Sequence, residues 1–290
     1  MIPSLSGLAL HSGALSTLSV SRRADDGAGL RFFWPGFDAP LHASDLAALR
    51  RTARRATVLE NSAGARMRTP EHLLAAALFF AGAPLDIVCD AVEPPGLDGS
   101  ARPFFELFSA AASPAPPRAQ AYASNLDWEH DGPEGSLRAR PHTHFSVRYL
   151  WEQSDIQYLF DFNSAIGAPE QVLPARTFIE YRDWIKIPGG ADLLAGAGDG
   201  SGMLLATTAE DYAEARKNLP DSRGKAFPLL HPEAFRFPDE PARHKVLDLL
   251  GDLALNGLAL PKLRLEIRNG GHALNHLLLD RLQSEIRRNP

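Results

Sequence analysis

Length, composition and charge describe an ordinary globular protein. The chain has 290 residues, 44% of them hydrophobic and 22% charged, so it can bury a large core and form two domains. Its net charge of −5 provides no basic surface for nucleic acid, and its single cysteine, Cys89, excludes a disulfide framework and a cysteine-rich zinc site. We expect no signal peptide, no membrane-spanning run and a reduced, cytoplasmic setting.

The first part of the chain predicts several strands and two helices. Thr69 suits a helix N-cap and Pro70 the first helical position, so a helix is predicted from Glu71 to Gly82. Residues 113–143 are rich in Ala, Pro, Ser and charge and alternate poorly, which indicates a domain boundary. The other predicted elements are strands at 7–11, 15–20, 30–34, 56–60 and 85–90, a short helix from 44, and a helix at 103–112.

A long helix dominates the second part. Residues 239–257 begin with Asp239 and end at a glycine, and His244, Asp248 and Asp252 recur every four residues on one face. A histidine and a carboxylate one turn apart are good zinc ligands, whereas the alternative is a solvated face with a chance histidine. The other predicted elements are strands at 144–151, 156–162 and 263–268 and helices at 211–218 and 271–283.

The two halves repeat. His72 lies 27 residues before Gly99, and His244 lies 27 residues before Gly271. Both halves predict strands followed by helix, strand and helix, although coincidence among common elements is the alternative. We therefore predict an α+β fold of two duplicated domains, each a β-sheet layer with two main helices, packed with the helices between the sheets. The predicted limits are 1–118 for the first domain, 119–143 for a linker and 144–290 for the second domain.

The duplication brings His72 and His244 to equivalent positions on two helices. His72, His244 and Asp248 then form a two-histidine, one-carboxylate set with an open fourth position, which is typical of catalytic zinc. Glu71 is adjacent and is a candidate general base. As the alternative, Glu71 is an anion favoured by the helix dipole.

A candidate acid follows two glycines. His272 could donate a proton to an oxyanion or a leaving amine, with Asp252 holding it charged, or it could simply be a polar residue at a helix start. Thr177 is a weaker candidate for an oxyanion donor. No glycine-rich phosphate loop has the required strand and helix around it. The remaining histidines are interpreted as surface or hydrogen-bonded core residues: His11, His42, His130, His142, His144, His231 and His276.

Six motifs, in order along nearly the whole chain, resemble one family. They are Gly7-Leu-Ala-Leu-His-Ser-Gly13, Thr69-Pro-Glu-His-Leu-Leu-Ala-Ala76, Leu97-Asp-Gly-Ser-Ala-Arg-Pro-Phe104, Ala175-Arg-Thr-Phe178, Arg243-His-Lys-Val-Leu-Asp-Leu-Leu-Gly-Asp252 and Gly271-His-Ala-Leu-Asn275. The sequence resembles the zinc-dependent UDP-3-O-acyl-N-acetylglucosamine deacetylases of lipid A biosynthesis.

This resemblance implies two similar α+β domains and hydrolysis of an N-acetyl amide to acetate and a free amine. It implies zinc, which iron(II) can replace, on His72, His244 and Asp248. The general base is then Glu71 and the acid His272, paired with Asp252. Thr177 is implied to assist the oxyanion, Lys245 to contact substrate and Phe178 to line the site. We further expect a monomer that contacts a membrane surface at most transiently.

The segments associated with nucleotide-sugar recognition depart from the family pattern. Trp151-Glu-Gln-Ser-Asp155 replaces an Asp-Phe-Asn-His-Pro-like segment, and Asn269-Gly-Gly-His272 replaces Lys-Ser-Gly-His. A further departure lies near the acyl passage of the family, where Ala197-Gly-Asp-Gly-Ser201 replaces Leu-Gly-Gly-Ser. The leading hypothesis is the lipid A precursor as substrate. The alternatives are a paralogue that deacetylates another N-acetylated sugar or small amide, and a non-catalytic binding or regulatory descendant.

Overall fold

The computed structural model describes residues 2–24, 27–53, 55–112, 120–153, 156–165, 169–186, 195–196, 201, 203–218, 229–230 and 234–288. The strands are β1 (Ser4–Leu8), β2 (Leu15–Arg22), β3 (Leu30–Phe33), β4 (Leu41–His42), β5 (Arg50–Ala53), β6 (Thr57–Glu60), β7 (Arg66–Arg68), β8 (Leu85–Cys89), β9 (Gln120–Tyr122), β10 (Trp128–Gly132), β11 (Gly135–Pro141), β12 (Ser146–Gln153), β13 (Ile156–Asn163), β14 (Phe178–Glu180), β15 (Met203–Leu205), β16 (Leu229–Leu230), β17 (Ala259–Pro261) and β18 (Leu263–Arg268). The α-helices are α1 (Glu71–Ala77), α2 (Arg102–Ala111), α3 (Tyr181–Trp184), α4 (Ala209–Asn218), α5 (Glu240–Leu253) and α6 (His272–Arg288), and short 3-10 helices cover Ala43–Ala48, Leu78–Phe80 and Pro169–Gln171.

Two five-stranded sheets share one topology. Their strand orders are β1-β2-β8-β3-β4 and β10-β11-β18-β12-β13. In each sheet the last strand along the chain pairs antiparallel with the second strand and parallel with the third. The outer pairs are antiparallel in both sheets. The predicted duplicated α+β fold is therefore confirmed.

The helices lie between the two sheets. Helix α1 packs on α5 and α2, α2 contacts β2, and α5 and α6 contact strands of the second sheet. One hydrophobic cluster runs from Leu18 and Ile87 of the first sheet through Leu74 and Leu250 of the helices to Leu265 of the second sheet. Because α5 is covered on both sides, all of its residues except Arg243 and Lys245 are buried.

Each half carries an insert before its first main helix. In the first half β5, β6 and β7 form a three-stranded antiparallel sheet before α1. In the second half β14, β15 and β16 form a parallel sheet before α5, with α3 and α4 in the connections. The inserts therefore occupy corresponding places in the repeat and border the helix starts that carry the candidate site residues.

Residues 128–141 differ from the expectation of a linker. They form β10 and β11, and β11 pairs with β18 of the second sheet. The sequence shows little alternation of apolar and polar residues here because both faces of β10 are at least partly exposed. Charged pairs such as Glu129 and Arg138, which lie opposite each other, also occupy strand positions. The limits of the two domains stay a prediction, but these strands belong by pairing to the second sheet.

The predicted capping of α1 is wrong in one respect. Pro70, not Thr69, occupies the N-cap position, and no side chain caps the helix. Thr69 has φ +51° and its hydroxyl donates to Glu93 Oε1 at 3.0 Å. The threonine therefore anchors the preceding loop to a buried carboxylate instead of binding the helix amides.

Within the described residues, none of the helices has the length and apolar composition needed to cross a bilayer.

Candidate metal centre and active site

Three side chains from the two halves converge on one point. His72 Nε2 lies 3.4 Å from Asp248 Oδ1, and His244 Nε2 lies 3.2 Å from the same oxygen. The potential ligand atoms of the three residues all lie within 4.8 Å of one another. Tetrahedral zinc with bonds of about 2.0–2.1 Å separates its ligand atoms by roughly 3.3 Å. The spacing around Asp248 therefore fits a zinc ion.

The tautomer of His244 also fits a metal. Its Nδ1–H donates to the carbonyl oxygen of Ala175 at 3.1 Å, which leaves the Nε2 lone pair directed towards Asp248 and His72. Burial lowers the pKa of His244 below its usual value despite the opposing charge of Asp248, so the neutral ligand form is favoured.

Asp248 is only 3% exposed, yet it is ionised. Burial by itself would raise the pKa of Asp248, but the adjacent His244 and the charge of Lys245 outweigh it and hold the pKa well below its usual value. Lys245 Nζ lies 3.2 Å from Asp248 Oδ2, the oxygen that the histidines do not share. The carboxylate thus presents one oxygen to the histidine pair and the other to the lysine.

Glu71 is placed by a close approach of α1 and α5. A Cβ atom added at Gly251 would lie only 2.0 Å from the carbonyl oxygen of Glu71, so glycine at this position lets the two helices touch. The carboxyl of Glu71 is 3% exposed and its Oε2 has no hydrogen-bond partner among the residues that the structure describes. A buried oxygen without a partner among the described residues, beside a candidate metal site, is the feature expected of a group that binds a reacting water.

His272 joins Glu71 to a second carboxylate. Its Nε2 lies 3.5 Å from Glu71 Oε1, and its Nδ1 lies 2.8 Å from Asp252 Oδ2. Burial by itself lowers the pKa of His272, but the carboxylates of Asp252 and Glu71 outweigh it and raise the pKa to about 10. Burial raises the pKa of Glu71 to about 8 against the charge of His272. The charge of each of these two groups therefore shifts the pKa of the other.

A cavity of about 320 Å³ opens above this pair. Its lining includes Thr177, Phe178, Lys245 and His272, so four residues expected at the site share one cavity wall. The backbone N–H of Thr177 donates to Gly99 O at 2.7 Å, which ties the end of the first half to β14. Lys245 Nζ lies 5.2 Å from the centre of the Phe178 ring.

The structure thus brings all nine candidate residues to one region, and it adds two histidines. His11 was interpreted as a surface or hydrogen-bonded core residue, but it lines the cavity, is 5% exposed, and its buried Nδ1 makes no hydrogen bond to any described residue. His276 contacts Thr57 and Asp252, on the side of the Asp252 carboxylate opposite His272. His11 lies in a motif of the resemblance, which was the available signal.

The other histidines lie elsewhere. His142 and His144 contact each other in the turn before β12, His130 pairs with Glu134 in the β10–β11 hairpin, and His42 is exposed. His231 lies outside the described residues.

The fold and the site define an α+β protein whose halves jointly form a candidate metal centre. A family model described as UDP-3-O-acyl N-acetylglycosamine deacetylase matches residues 3–198 and 225–284. The chain therefore belongs to the UDP-3-O-acyl N-acetylglycosamine deacetylase family.

Named relatives cover nearly the whole chain. The UDP-3-O-acyl-N-acetylglucosamine deacetylase of Myxococcus xanthus is 31% identical over 290 residues, which span 98% of this chain and 85% of the relative. The proteins of the same name from Anaeromyxobacter dehalogenans and Vibrio vulnificus are each 30% identical, covering 97% and 94% of this chain and 85% of each relative. The chain is thus similar throughout to enzymes named as deacetylases.

Proposed function

We propose that this protein is a zinc-dependent hydrolase that removes an N-acetyl group from an acylated amino sugar. The observation that carries the proposal is the buried Oε2 of Glu71, which has no hydrogen-bond partner among the described residues and lies beside the cluster of His72, His244 and Asp248. A site with three ligands and a neighbouring carboxyl can activate water for amide hydrolysis.

His72, His244 and Asp248 are the proposed zinc ligands. When bound there, zinc supplies a Lewis acid that polarises an amide carbonyl and lowers the pKa of water to about 7. Iron(II) suits the same set of nitrogen and oxygen donors.

Glu71 is the proposed general base. Burial raises its pKa to about 8, so its carboxylate is a stronger base than that of an exposed glutamate, and the deprotonated fraction present near neutral pH can take a proton from an attacking water. Its unpartnered Oε2 is free to make that contact, while Oε1 faces His272.

His272 is the proposed general acid. The raised pKa of about 10 keeps its ring protonated, and Nε2 faces the reacting region while Nδ1 is held by Asp252. It can therefore deliver a proton to the leaving amine nitrogen. Thr177, in the same cavity wall, is the proposed hydroxyl donor to the oxyanion.

The leading substrate is UDP-3-O-acyl-N-acetylglucosamine, the compound in the printed names of the relatives. Lys245 and Phe178 are the proposed substrate contacts because both line the cavity directly above the ligand helix. A cytoplasmic location and a monomeric state stay predictions.

The test is acetate release by zinc-loaded protein from UDP-3-O-acyl-N-acetylglucosamine, with Glu71→Ala as the comparison. We expect one zinc per chain in both proteins and a loss of turnover of at least about 100-fold in the variant, since general base catalysis contributes about 10²–10⁴-fold. Unchanged turnover in Glu71→Ala would refute the mechanism. Binding without turnover by the wild type would indicate a non-catalytic descendant.

The charges of the cavity favour a second candidate, a deacetylase for an N-acetylated sugar without a diphosphate. Glu180 and Asp183 line the cavity. The arginine and the lysine among its described lining residues are already paired with carboxylates, Arg55 with Asp183 at 3.4 Å and Lys245 with Asp248 at 3.2 Å. Burial and the charge of Asp183 raise the pKa of Glu180. A diphosphate gains little from cations that carboxylates already neutralise.

The departures from the family pattern border the same place. Trp151 lines the cavity, and the next residue, Glu152, donates its backbone N–H to Asn269 Oδ1 at 2.8 Å. The two altered recognition segments therefore contact each other. Parallel assays with the nucleotide sugar and with its 3-O-acyl sugar lacking the nucleotide separate the candidates, because only the second candidate predicts a higher kcat/KM for the compound without diphosphate.

A further inference from the structure

Asp252, the partner of the proposed acid, is completely enclosed. Its exposed fraction is 0%, and each of its two oxygens accepts hydrogen bonds. Oδ2 accepts from His272 Nδ1 and Asn275 Nδ2, both at 2.8 Å, and Oδ1 accepts from the Thr57 hydroxyl at 2.6 Å. The carboxylate therefore has one side facing the proposed acid and an opposite side held by Thr57.

The hydroxyl of Thr57 determines the tautomer of a second histidine. Thr57 Oγ1 lies 2.6 Å from Asp252 Oδ1 and 2.9 Å from His276 Nε2. A hydroxyl has one proton and an ionised carboxylate can only accept, so the threonine proton points to Asp252. Nε2 of His276 must then carry a proton and donate to Thr57.

The chain of contacts spans three elements and both halves. Thr57 is the first residue of β6 in the insert of the first half, Asp252 lies near the end of α5, and His276 lies in the first part of α6. The carbonyl oxygen of Thr57 also accepts the N–H of Thr69, two residues before Glu71, at 2.8 Å. One short strand thus connects the segment that leads to the proposed base with the carboxylate behind the proposed acid.

We propose that His276 and Thr57 are positioning residues, which orient the Asp252 carboxylate so that the His272 ring directs Nε2 towards Glu71. The inference rests on the proposed function of His272. Neither residue is among those that line the described cavity, so both act through Asp252 and not on the substrate. Without the hydrogen bond to Oδ1, the carboxylate can rotate and the His272 ring loses its fixed direction.

The kinetic test pairs each disruptive variant with a conservative one. Thr57→Val removes the hydroxyl at nearly constant shape and Thr57→Ser restores it, while His276→Leu removes the donor and His276→Gln offers an amide N–H at a similar reach. Loss of a partner in such a supporting shell typically lowers activity about 10–100-fold. We expect that loss in kcat for the valine and leucine variants, with KM and zinc content unchanged, and recovery to within about threefold of wild type in the serine and glutamine variants.

The control is His144→Leu, which removes a histidine whose described contacts are with His142 and Thr143. It should leave kcat unchanged. The proposal is wrong if Thr57→Val keeps wild-type kcat, if His276→Gln loses as much as His276→Leu, or if kcat, KM and zinc content deteriorate together, since the last result indicates a purely structural role.

A second readout needs no substrate. Nitrogen-resolved NMR of the histidine rings should show His276 protonated at Nε2, and a His272 Nδ1 proton that is protected from solvent. That proton signal should be lost or shifted in Thr57→Val and His276→Leu but kept in the conservative variants. An unchanged signal, or His276 protonated only at Nδ1, refutes the inference. Absence of acetate release by the wild type refutes the proposed function separately.

Discussion

At the scale of single residues, two carboxylates one helical turn apart have different surroundings. Asp248 faces His72, His244 and Lys245, whereas Asp252 faces His272, Asn275 and Thr57. Their partners, and not their spacing, separate a ligand from an orienting group.

Asparagine at these two positions should therefore have different effects. Asp248→Asn should weaken zinc binding by more than about tenfold, because it removes a charged ligand, while Asp252→Asn should keep zinc and lose kcat. Metal content by mass spectrometry and acetate release on the same samples check this. Equal zinc loss in both variants contradicts the assignment.

Glu240 shows how a buried charge holds the site wall. It is 1% exposed, pairs with Arg176 Nε at 2.8 Å, and accepts the N–H groups of Arg176 and Arg236 at 3.0 and 2.6 Å. Arg176 directly precedes Thr177, so this pair anchors the cavity wall to the start of α5. Burial by itself would raise the pKa of Glu240, but these contacts outweigh it and lower the pKa.

Glu240→Gln should lower the free energy of unfolding by about 3 kcal/mol at neutral pH, since it leaves a partly buried arginine without its counter-charge. The folded pKa lies below the unfolded value of about 4.3, so this stabilisation is complete above that value and is lost as pH falls through the folded pKa. Denaturant unfolding at several pH values checks it, and the difference between the proteins should shrink in acid.

The matched control is Glu106→Gln. Glu106 pairs with Arg102 on α2, but both side chains are 58% exposed. Loss of such a solvent-screened surface pair should leave the free energy of unfolding nearly unchanged. A similar loss in both variants would show that burial does not govern the contribution of Glu240.

At the scale of elements, the crossing of α1 and α5 depends on one glycine. Alanine is favoured over glycine inside a helix by about 1 kcal/mol. Gly251→Ala should nevertheless destabilise the protein by about 1–3 kcal/mol, because its Cβ would lie 2.0 Å from the Glu71 carbonyl oxygen. The helices must separate, so zinc affinity should fall too.

Thermal unfolding and zinc titration of Gly251→Ala check this prediction. Gly271→Ala is the control for stability, since an added Cβ there meets no described atom within 4 Å. A stabilised Gly251→Ala protein with normal zinc affinity would show that the helices can separate without cost.

The secondary-structure elements also differ in how well the sequence predicts them. Both limits of β18 and the starts of α5 and α6, to within one residue, followed from periodicity, Asp, Pro and Gly, because burial of a continuous face imposes a regular spacing. The ends of the two helices differ from the prediction, since α5 stops at Leu253 and not at 257 and α6 continues to Arg288 beyond 283. The strands β10 and β11 were not predicted, because β10 has no face that is buried throughout. A strand without a continuously buried face shows little alternation of apolar and polar residues in the sequence.

At the scale of the whole molecule, the halves share one core, and the site is made at their junction. Because the hydrophobic cluster is continuous through both halves, heat or denaturant should unfold them in one cooperative transition. Far-UV circular dichroism and tryptophan fluorescence should give coincident curves, because both signals come from both halves, with Trp34 in the first half and Trp128, Trp151 and Trp184 in the second. Two separated transitions would contradict a shared core.

Zinc should shift that transition as a whole. A ligand that binds only the folded state stabilises it by about 2.7 kcal/mol when present at 100 times its dissociation constant. Because the ligands come from α1 and α5, removal of zinc with a chelator should lower the midpoint seen by both probes equally. A shift confined to one of the two signals would contradict a single transition coupled to zinc binding.

The sequence by itself determined the repeated α+β plan, the metal-ligand residue types and the acid and base candidates, since spacing along a helix and the order of motifs are properties of the chain. Only the tertiary structure decided that Glu71 Oε2 has no hydrogen-bond partner among the described residues, that His11 lines the cavity, and that Thr57 and His276 lie on the side of Asp252 opposite His272. These contacts join residues up to 219 positions apart, such as Thr57 and His276. Local periodicity does not encode a hydrogen bond between distant segments. Such a bond forms only when the two sheets pack and bring together the helices that lie between them.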